Sequence, residues 1–233
     1  MPETSVVSVP THDGGAMSAR LTLPDGRTGP GVLVIHEIFG VNDYLQFVLD
    51  RLAGLGYVAM CPDLFWRIDP DHEIAQDEAG LGAAIERMAS FDMAEAVHDC
   101  DAALGYLSRQ TEVTGPVAVL GFCLGGTLAF ATAISSEPDA VVSYYGSGVA
   151  DLLDGVDEIH CPVLFHFGRD DAYLPAESVD RIEVALADRD DVEVRRYAAG
   201  HAFDNSFSDI FHEPRAAEEA WGVTTDFLRR VLF

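Results

Sequence analysis

The sequence predicts an α/β fold in which a mainly parallel sheet carries helices on both faces. Six short runs have strand character, and most of them are almost continuously apolar, as strands are when both faces of a parallel sheet are covered. Helical patterns lie between most of these runs, and this order is typical of βαβ units. The chain has 233 residues, 48% of them hydrophobic, which is enough for one sizeable core. We therefore expect a single domain over residues 1–233.

The predicted elements follow one another along the chain. Strands are expected at 31–35, 57–61, 117–120, 140–145, 163–167 and 192–197. Helices are expected at 43–55, 83–108, 124–135, 176–187 and 214–231. The segment 5–23 has weaker strand character, and we expect it to add an antiparallel edge to the sheet.

The charge of the chain excludes some classes of partner. Its 39 acidic residues outnumber 14 basic residues, all of them arginine, for a formal net charge of -25. Such a surface repels nucleic acids and anionic membranes, so we expect neither as a partner. Two explanations of the acidity remain open: solubility with a compositional bias of the source, and adaptation to high salt.

The cysteines and the N-terminal residues indicate the compartment. The cysteines are widely scattered, without a C-x-x-C pair or a zinc-like cluster, so we expect no disulfide, no metal and no cofactor. Residues 1–5 lack the basic start and apolar core of a signal peptide, and no apolar run reaches transmembrane length. We expect a cytoplasmic monomer or small homo-oligomer with reduced thiols.

Cys123 is the strongest candidate for a nucleophile. It follows the apolar run 116–120 within Gly-Phe-Cys-Leu-Gly-Gly, residues 121–126, and the next helical pattern starts at Leu124. This is the G-x-S-x-G nucleophile elbow with sulfur in place of oxygen. A helix N terminus stabilises a thiolate, and the Leu124 amide would form half of an oxyanion hole. Free cysteines often only fill space, and we assign that role to Cys61, Cys100 and Cys161.

Other polar residues follow further strands of the predicted sheet. In open α/β sheets the ligand site lies beyond the carboxyl ends of the strands. Asp170 and Asp171 follow the strand 163–167, and His201 follows the strand 192–197. The order nucleophile, acid, histidine is that of the α/β-hydrolases. A histidine would pair with the thiolate and an aspartate would orient the imidazole, and we favour Asp171 over Asp170 for the second role.

These residues resemble the dienelactone hydrolase family, the cysteine branch of the α/β-hydrolases. The resemblance runs through most of the chain after about Gly31, and it depends on several motifs that occur in order. They are His-Glu-Ile-Phe-Gly-Val-Asn at 36–42, Cys-Pro-Asp-Leu-Phe at 61–65, Phe-Asp-Met at 91–93, Gly-Phe-Cys-Leu-Gly-Gly at 121–126, Tyr-Tyr-Gly at 144–146, the Asp171 to Pro175 spacing and Ala-Gly-His at 199–201.

The resemblance implies a role for several residues. It implies a catalytic triad of Cys123, Asp171 and His201. Oxyanion-hole amides would come from Ile38 and Leu124. Glu37 would help to generate the thiolate when substrate binds; a structural carboxylate that orders the Ile38 loop is the alternative.

The resemblance also identifies candidate substrate contacts and two departures from the family. Family members that hydrolyse dienelactone hold its carboxylate with two arginines, but the matching positions here are Asn205 and Leu81. Neither side chain supplies that charge. The segment 64–90 is expected to lie over the active site, although an ordinary amphipathic surface helix fits its pattern equally well. The expected substrate contacts are Phe39, Leu81, Tyr145 and Asn205.

Together these features predict a cofactor-free hydrolase of a lactone or small carboxylic ester. Cys123 would form a thiol acyl-enzyme, which His201 and water would then hydrolyse. Two alternatives remain. One is a thioesterase with the same residues, and the other is a ligand-binding protein that keeps the scaffold without turnover.

Overall fold

The computed structural model describes residues 2–233, and through them runs a sheet of eight strands. Two of these strands lie before Gly29, where the sequence predicted a weak antiparallel edge, and the other six overlap the six predicted strands. The strands are β1 (Glu3–Pro10), β2 (Ala16–Leu23), β3 (Gly29–Ile35), β4 (Val58–Pro62), β5 (Val113–Phe122), β6 (Ala140–Tyr144), β7 (Val163–Gly168) and β8 (Val192–Tyr197).

The order of strands across the sheet is β1-β2-β4-β3-β5-β6-β7-β8. Strand β2 pairs antiparallel with both β1 and β4. All pairs from β4 to β8 are parallel. The carboxyl ends of β3, β5, β7 and β8 therefore meet at one edge of the sheet, which is where α/β folds form their ligand sites.

Six α-helices connect or follow the strands. Their bounds are α1 (Asp43–Gly54), α2 (Glu78–Met88), α3 (Met93–Ser108), α4 (Leu124–Ser135), α5 (Ala176–Ala185) and α6 (Pro214–Leu232), with short 3-10 helices at Val149–Asp151 and Leu153–Glu158.

The single helix predicted at 83–108 is wrong, because two helices, α2 and α3, occupy this region. The Asp92 side chain accepts hydrogen bonds from the amides of Ala94 and Glu95 and so caps a new helix start. An acidic cap followed three residues later by Glu95 is a sequence signal for a helix start. The apolar pattern predicted as one helix continues across residues 83–108, and for this reason the new helix start was missed.

The two faces of the sheet are each covered by a separate apolar core. Helices α3, α4 and α5 pack on one face, and α1 and α6 pack on the other. The central strands β3, β4, β6 and β7 are buried along their whole length, which explains their uninterrupted apolar sequences. Among residues 2–233, no helix is long and apolar enough to cross a membrane.

Candidate active site

Cys123 lies on a sharp turn between the end of β5 and the start of α4. Its backbone has φ of 54° and ψ of -114°, a conformation that residues other than glycine adopt rarely. Its carbonyl accepts hydrogen bonds from the amides of Gly126 and Thr127, which starts the helix. The cysteine side chain is half-buried and lines a cavity. The expected strand-to-helix turn is therefore present.

Glycines allow α4 to approach the sheet at this turn. A Cβ atom on Gly125 would lie 2.1 Å from the Ile35 carbonyl oxygen and 2.8 Å from that of His36. A Cβ atom on Gly121 would lie 1.9 Å from the Gly125 carbonyl oxygen. Atoms that are not bonded to each other cannot lie this close, so glycine is required at both positions. This close approach brings the start of α4 next to the loop that follows β3.

His201 lies between Cys123 and Asp171. Its Nε2 atom is 3.1 Å from Cys123 Sγ, and its Nδ1 atom is 2.7 Å from Asp171 Oδ2. The second oxygen of Asp171 accepts hydrogen bonds from the amides of Tyr173 and Leu174, so this completely buried carboxylate has a fixed orientation. The structure thus brings together the three residues that the sequence singled out, although each follows a different strand.

The charge state of His201 depends on these two partners. Burial opposes protonation of the imidazole, but the adjacent Cys123 sulfur and the hydrogen bond to Asp171 outweigh it and hold the pKa of His201 well above its usual value. The imidazolium is therefore the favoured form of His201.

The other cysteines differ from Cys123 in their surroundings. Cys61, Cys100 and Cys161 are buried, and burial raises the pKa of each thiol, that of Cys161 to about 11. These environments keep the thiols protonated and unreactive near neutral pH, as expected of cysteines that fill space.

Glu37 follows β3 and is almost completely buried at the base of the site. Burial raises its pKa to about 7, against the opposing effect of the His201 charge and of a hydrogen bond from Asn205. Asn205 Nδ2 is 2.7 Å from Glu37 Oε2, whereas Oε1 has no hydrogen-bond partner among the described residues. A carboxyl group of this kind exchanges a proton near neutral pH.

The loop that carries Ile38 is held by two buried side chains. His36 Nε2 accepts the Leu64 amide at 3.0 Å, so Nδ1 carries the proton and donates to the Glu37 carbonyl oxygen at 2.7 Å. Arg87 donates to the Ile38 carbonyl oxygen at 2.7 Å. These contacts fix the peptide groups on both sides of Ile38. The position of Arg87 was not foreseen from the sequence, since nothing local links it to residue 38.

A cavity of about 190 Å³ opens beside Cys123, His201 and Glu37. Ser147, Tyr173 and Ala202 also line it, and the sequence had not singled them out. The largest part of its surface is an apolar wall that we define as Phe39, Leu81, Ile85, Met88 and Phe211.

The segment 64–90 reaches this cavity only through α2. Leu81, Ile85 and Met88 of that helix belong to the apolar wall. Trp66 and Arg67 instead hydrogen-bond to Asp99 on α3. The prediction that this segment lies over the active site therefore applies to its helical part.

Two of the four expected substrate contacts do not line the cavity. Leu81 and Phe39 do, but Asn205 is completely buried and bridges Glu37 and Gln76 Oε1, the latter at 2.5 Å. Tyr145 is also completely buried, with its ring 5.2 Å from that of His201. Both side chains lie behind Glu37 and His201 and away from the cavity surface. Among residues 2–233, no cluster of three or more His, Cys, Asp or Glu side chains could hold a metal ion.

The fold and the geometry of this site define an α/β-hydrolase. The sheet order, the elbow after β5 and the order of the three residues in the chain are those of that class. The dienelactone hydrolase family model matches residues 17–232, nearly the whole chain. The chain belongs to the dienelactone hydrolase family and is a carboxylic ester hydrolase.

Curated relatives and solved structures agree with this family. The carboxymethylenebutenolidase of Pseudomonas sp. (strain P51) is 35% identical over 98% of this chain and 96% of its own length. That of Pseudomonas putida is 35% identical over 92% of each chain. A dienelactone hydrolase-like promiscuous phosphotriesterase from metagenomic libraries superposes with a TM-score of 0.83 at 26% identity, covering 99% of each chain. A dienelactone hydrolase from Anabaena variabilis shares the fold, with a TM-score of 0.73 at 18% identity over 100% of this chain and 99% of its own.

Proposed function

We propose that this protein cleaves a lactone or small carboxylic ester through a thiol acyl-enzyme formed on Cys123. The single observation that carries the proposal is the continuous hydrogen-bonded row of Cys123 Sγ, His201 and Asp171, with distances of 3.1 and 2.7 Å. Nucleophile, base and orienting acid within hydrogen-bond reach are the arrangement that acyl transfer requires.

The first half of the reaction forms the acyl-enzyme. The Cys123 thiolate attacks the ester carbonyl carbon, and the oxyanion is stabilised by the amides of Ile38 and Leu124. The tetrahedral intermediate collapses with cleavage of the C–O bond, and His201 donates a proton to the leaving alkoxide. For a lactone, the released hydroxyl group stays attached to the acyl chain.

The second half releases the acid. His201, now neutral, takes a proton from water while the water attacks the thioester carbonyl. Asp171 keeps the imidazole oriented in both halves. Glu37, buried beside the same cavity, accepts the proton of the Cys123 thiol when substrate binds, which leaves the thiolate paired with the His201 imidazolium; after the acid is released, Glu37 returns this proton to the thiolate.

Substitution of the nucleophile tests this proposal. We expect Cys123→Ala to lower kcat for every accepted ester by at least about 10⁴-fold, because the remaining groups only bind and polarise the carbonyl. The measurement is steady-state turnover of para-nitrophenyl esters, lactones and acyl thioesters. Comparison of the rates on thioesters with those on esters and lactones also tests the thioesterase alternative. Cys100→Ala is the matched control and should retain activity.

Trapping the intermediate adds an independent readout. A slow ester mixed with wild-type protein should give one acyl group on Cys123, detected by peptide mass spectrometry, and none on the Ala variant. Full turnover by Cys123→Ala would contradict the mechanism. A wild-type protein that binds esters tightly but never acylates would instead identify the ligand-binding alternative.

A further inference from the structure

The cavity beside Cys123 is lined mostly by groups that cannot pair with an anion; Ser147 and Tyr173 carry hydroxyl groups that can donate a hydrogen bond, but they are uncharged. Its apolar wall contributes hydrocarbon, aromatic and thioether surface, and none of the described arginines lines it. The chain contains no lysine. His201 is the only cationic group of the lining, and its two nitrogens already face Cys123 and Asp171.

The two arginines of the segment 64–90, which contributes α2 to the wall, are engaged elsewhere. The side chain of Arg87 is 5% exposed, donates to the carbonyls of Ile38 and His72, and packs on the ring of Phe65 at 3.7 Å. Arg67 pairs with Asp13 and Asp99. For either guanidinium to enter the cavity, it would have to leave buried partners unpaired, which is costly.

Negative charge near the site adds to this effect. The Glu37 carboxyl lines the cavity, and above its pKa of about 7 it carries a charge that repels an anion. At longer range, the formal net charge of -25 lowers the local concentration of anionic substrates. A substrate carboxylate would therefore lose its hydration in the cavity without a cationic partner to compensate for it.

We propose that this cavity selects esters with an uncharged, apolar group and discriminates against esters that carry a carboxylate. The inference rests on the proposed ester hydrolysis at Cys123. It assigns the selection to the apolar wall, chiefly to Leu81 and its neighbours on α2, rather than to the acidic surface.

A pair of isosteric substrates tests the selection. Mono-para-nitrophenyl glutarate ends in a carboxylate, whereas para-nitrophenyl 5-methylhexanoate has two methyl groups in place of the two oxygens. We expect kcat/KM for the neutral ester to exceed that for the anionic ester by at least about 100-fold, after subtraction of the uncatalysed rates; this corresponds to about 2.7 kcal/mol. A ratio near one, or a preference for the anion, would overturn the inference.

The salt dependence of the kcat/KM ratio distinguishes selection by the apolar wall from selection by the negative charge of the protein surface. At 1 M salt the Debye length is about 3 Å, so long-range repulsion is screened while the cavity is unchanged. We expect the ratio to stay above about 30-fold under these conditions. Collapse of the ratio toward one would mean that the surface field, and not the wall, makes the selection.

Variants of the wall provide the second test. Leu81→Arg should lower the ratio of neutral to anionic ester at least tenfold by supplying a cation, whereas Leu81→Met, of similar size and no charge, should leave it within about twofold. If Leu81→Arg does not fold, Ile85→Arg replaces a side chain that is 53% exposed at the cavity mouth. An unchanged ratio in the folded arginine variant would remove the wall from the explanation.

Binding to the Cys123→Ala protein distinguishes failure of this inference from failure of the proposed function. Calorimetric titration of that protein with each ester measures the two affinities in the absence of turnover. Tight binding of the neutral ester alone supports the selection even if the wild type proves inactive, and equal binding of both contradicts it even if the wild type is an esterase.

Discussion

Glu37 shows how strongly burial changes the chemistry of one side chain. The carboxyl is 1% exposed, and one oxygen accepts a hydrogen bond from Asn205 while the other has no partner among the described residues. Desolvation dominates these contacts and raises the pKa to about 7. A carboxyl group with a pKa near 7 both accepts and releases a proton near neutral pH, as the proposed role of Glu37 requires.

The shifted pKa of Glu37 makes a prediction about stability. Between pH 4.5 and about 7, the folded protein keeps a proton on Glu37 that the unfolded chain releases. The contribution of this group to the free energy of unfolding is therefore complete below pH 4.5 and is lost as the pH rises through 7. The total change is about 3 kcal/mol. Glu37→Gln keeps an oxygen for Asn205 but does not titrate. We therefore expect the free energy of unfolding of Glu37→Gln, minus that of the wild type, to increase by about 3 kcal/mol from pH 4.5 to 7.

Urea unfolding of both proteins at pH 5, 6, 7 and 8 measures this difference. Contributions from other titrating groups cancel in the comparison, because they are common to both proteins. Two stability curves that run parallel with pH would show that Glu37 titrates normally in the folded protein.

Among the elements, α4 is placed by its packing against the ends of β3 and β5. Gly125 lies against the carbonyls of Ile35 and His36, so the start of α4, with the amide of Leu124, lies next to the loop of Ile38. The hydrophobicity of α4 follows from the same packing, since ten of its twelve residues are buried. The proposed oxyanion donors are thus backbone groups whose positions depend on how closely α4 approaches β3.

Gly125→Ala tests this dependence. The added Cβ atom would lie 2.1 Å from the Ile35 carbonyl oxygen, so α4 must move. We expect a loss of about 1–3 kcal/mol in the free energy of unfolding and a fall in kcat that exceeds any change in KM, because the oxyanion donors separate.

Gly222→Ala on α6 is the control, since its Cβ atom meets no atom within 4 Å. Alanine is the better helix former there, so we expect it to raise stability by about 0.5–1 kcal/mol and to leave kcat unchanged. Equal effects of the two substitutions in chemical denaturation would contradict the packing argument.

For the whole molecule, the dominant property is the formal net charge of -25. Mutual repulsion at this charge opposes the compact state, and salt reduces the repulsion. The arginines that pair with exposed acids, such as Arg27 with Glu3 and Arg196 with Asp180, neutralise only part of it.

We therefore expect Tm to rise with added NaCl. Most of the gain should appear below about 1 M, where the Debye length has already fallen to ~3 Å. Calorimetric scans at several NaCl concentrations measure it. A Tm that is indifferent to salt would exclude adaptation to high salt, and a rise that continues linearly to several molar would indicate a general salt effect on burial rather than screening.

The central strands, the elbow around Cys123 and the order of the three candidate catalytic residues could be predicted from the sequence. Each has a local signal: continuous apolar runs for strands buried on both faces, glycines around a strand-to-helix turn, and polar residues directly after strands. Because the carboxyl ends of parallel strands meet at one edge, distant residues such as Asp171 and His201 were expected together.

Other properties of this protein were decided only by tertiary structure. Asn205 and Tyr145 were expected at the substrate, but they lie behind Glu37 and His201; Arg87 holds the Ile38 loop from α2. The pKa of Glu37 and the apolar character of the cavity likewise depend on which side chains meet. Such contacts join residues far apart in the chain, and burial, which sets their energies, exists only once the elements have packed.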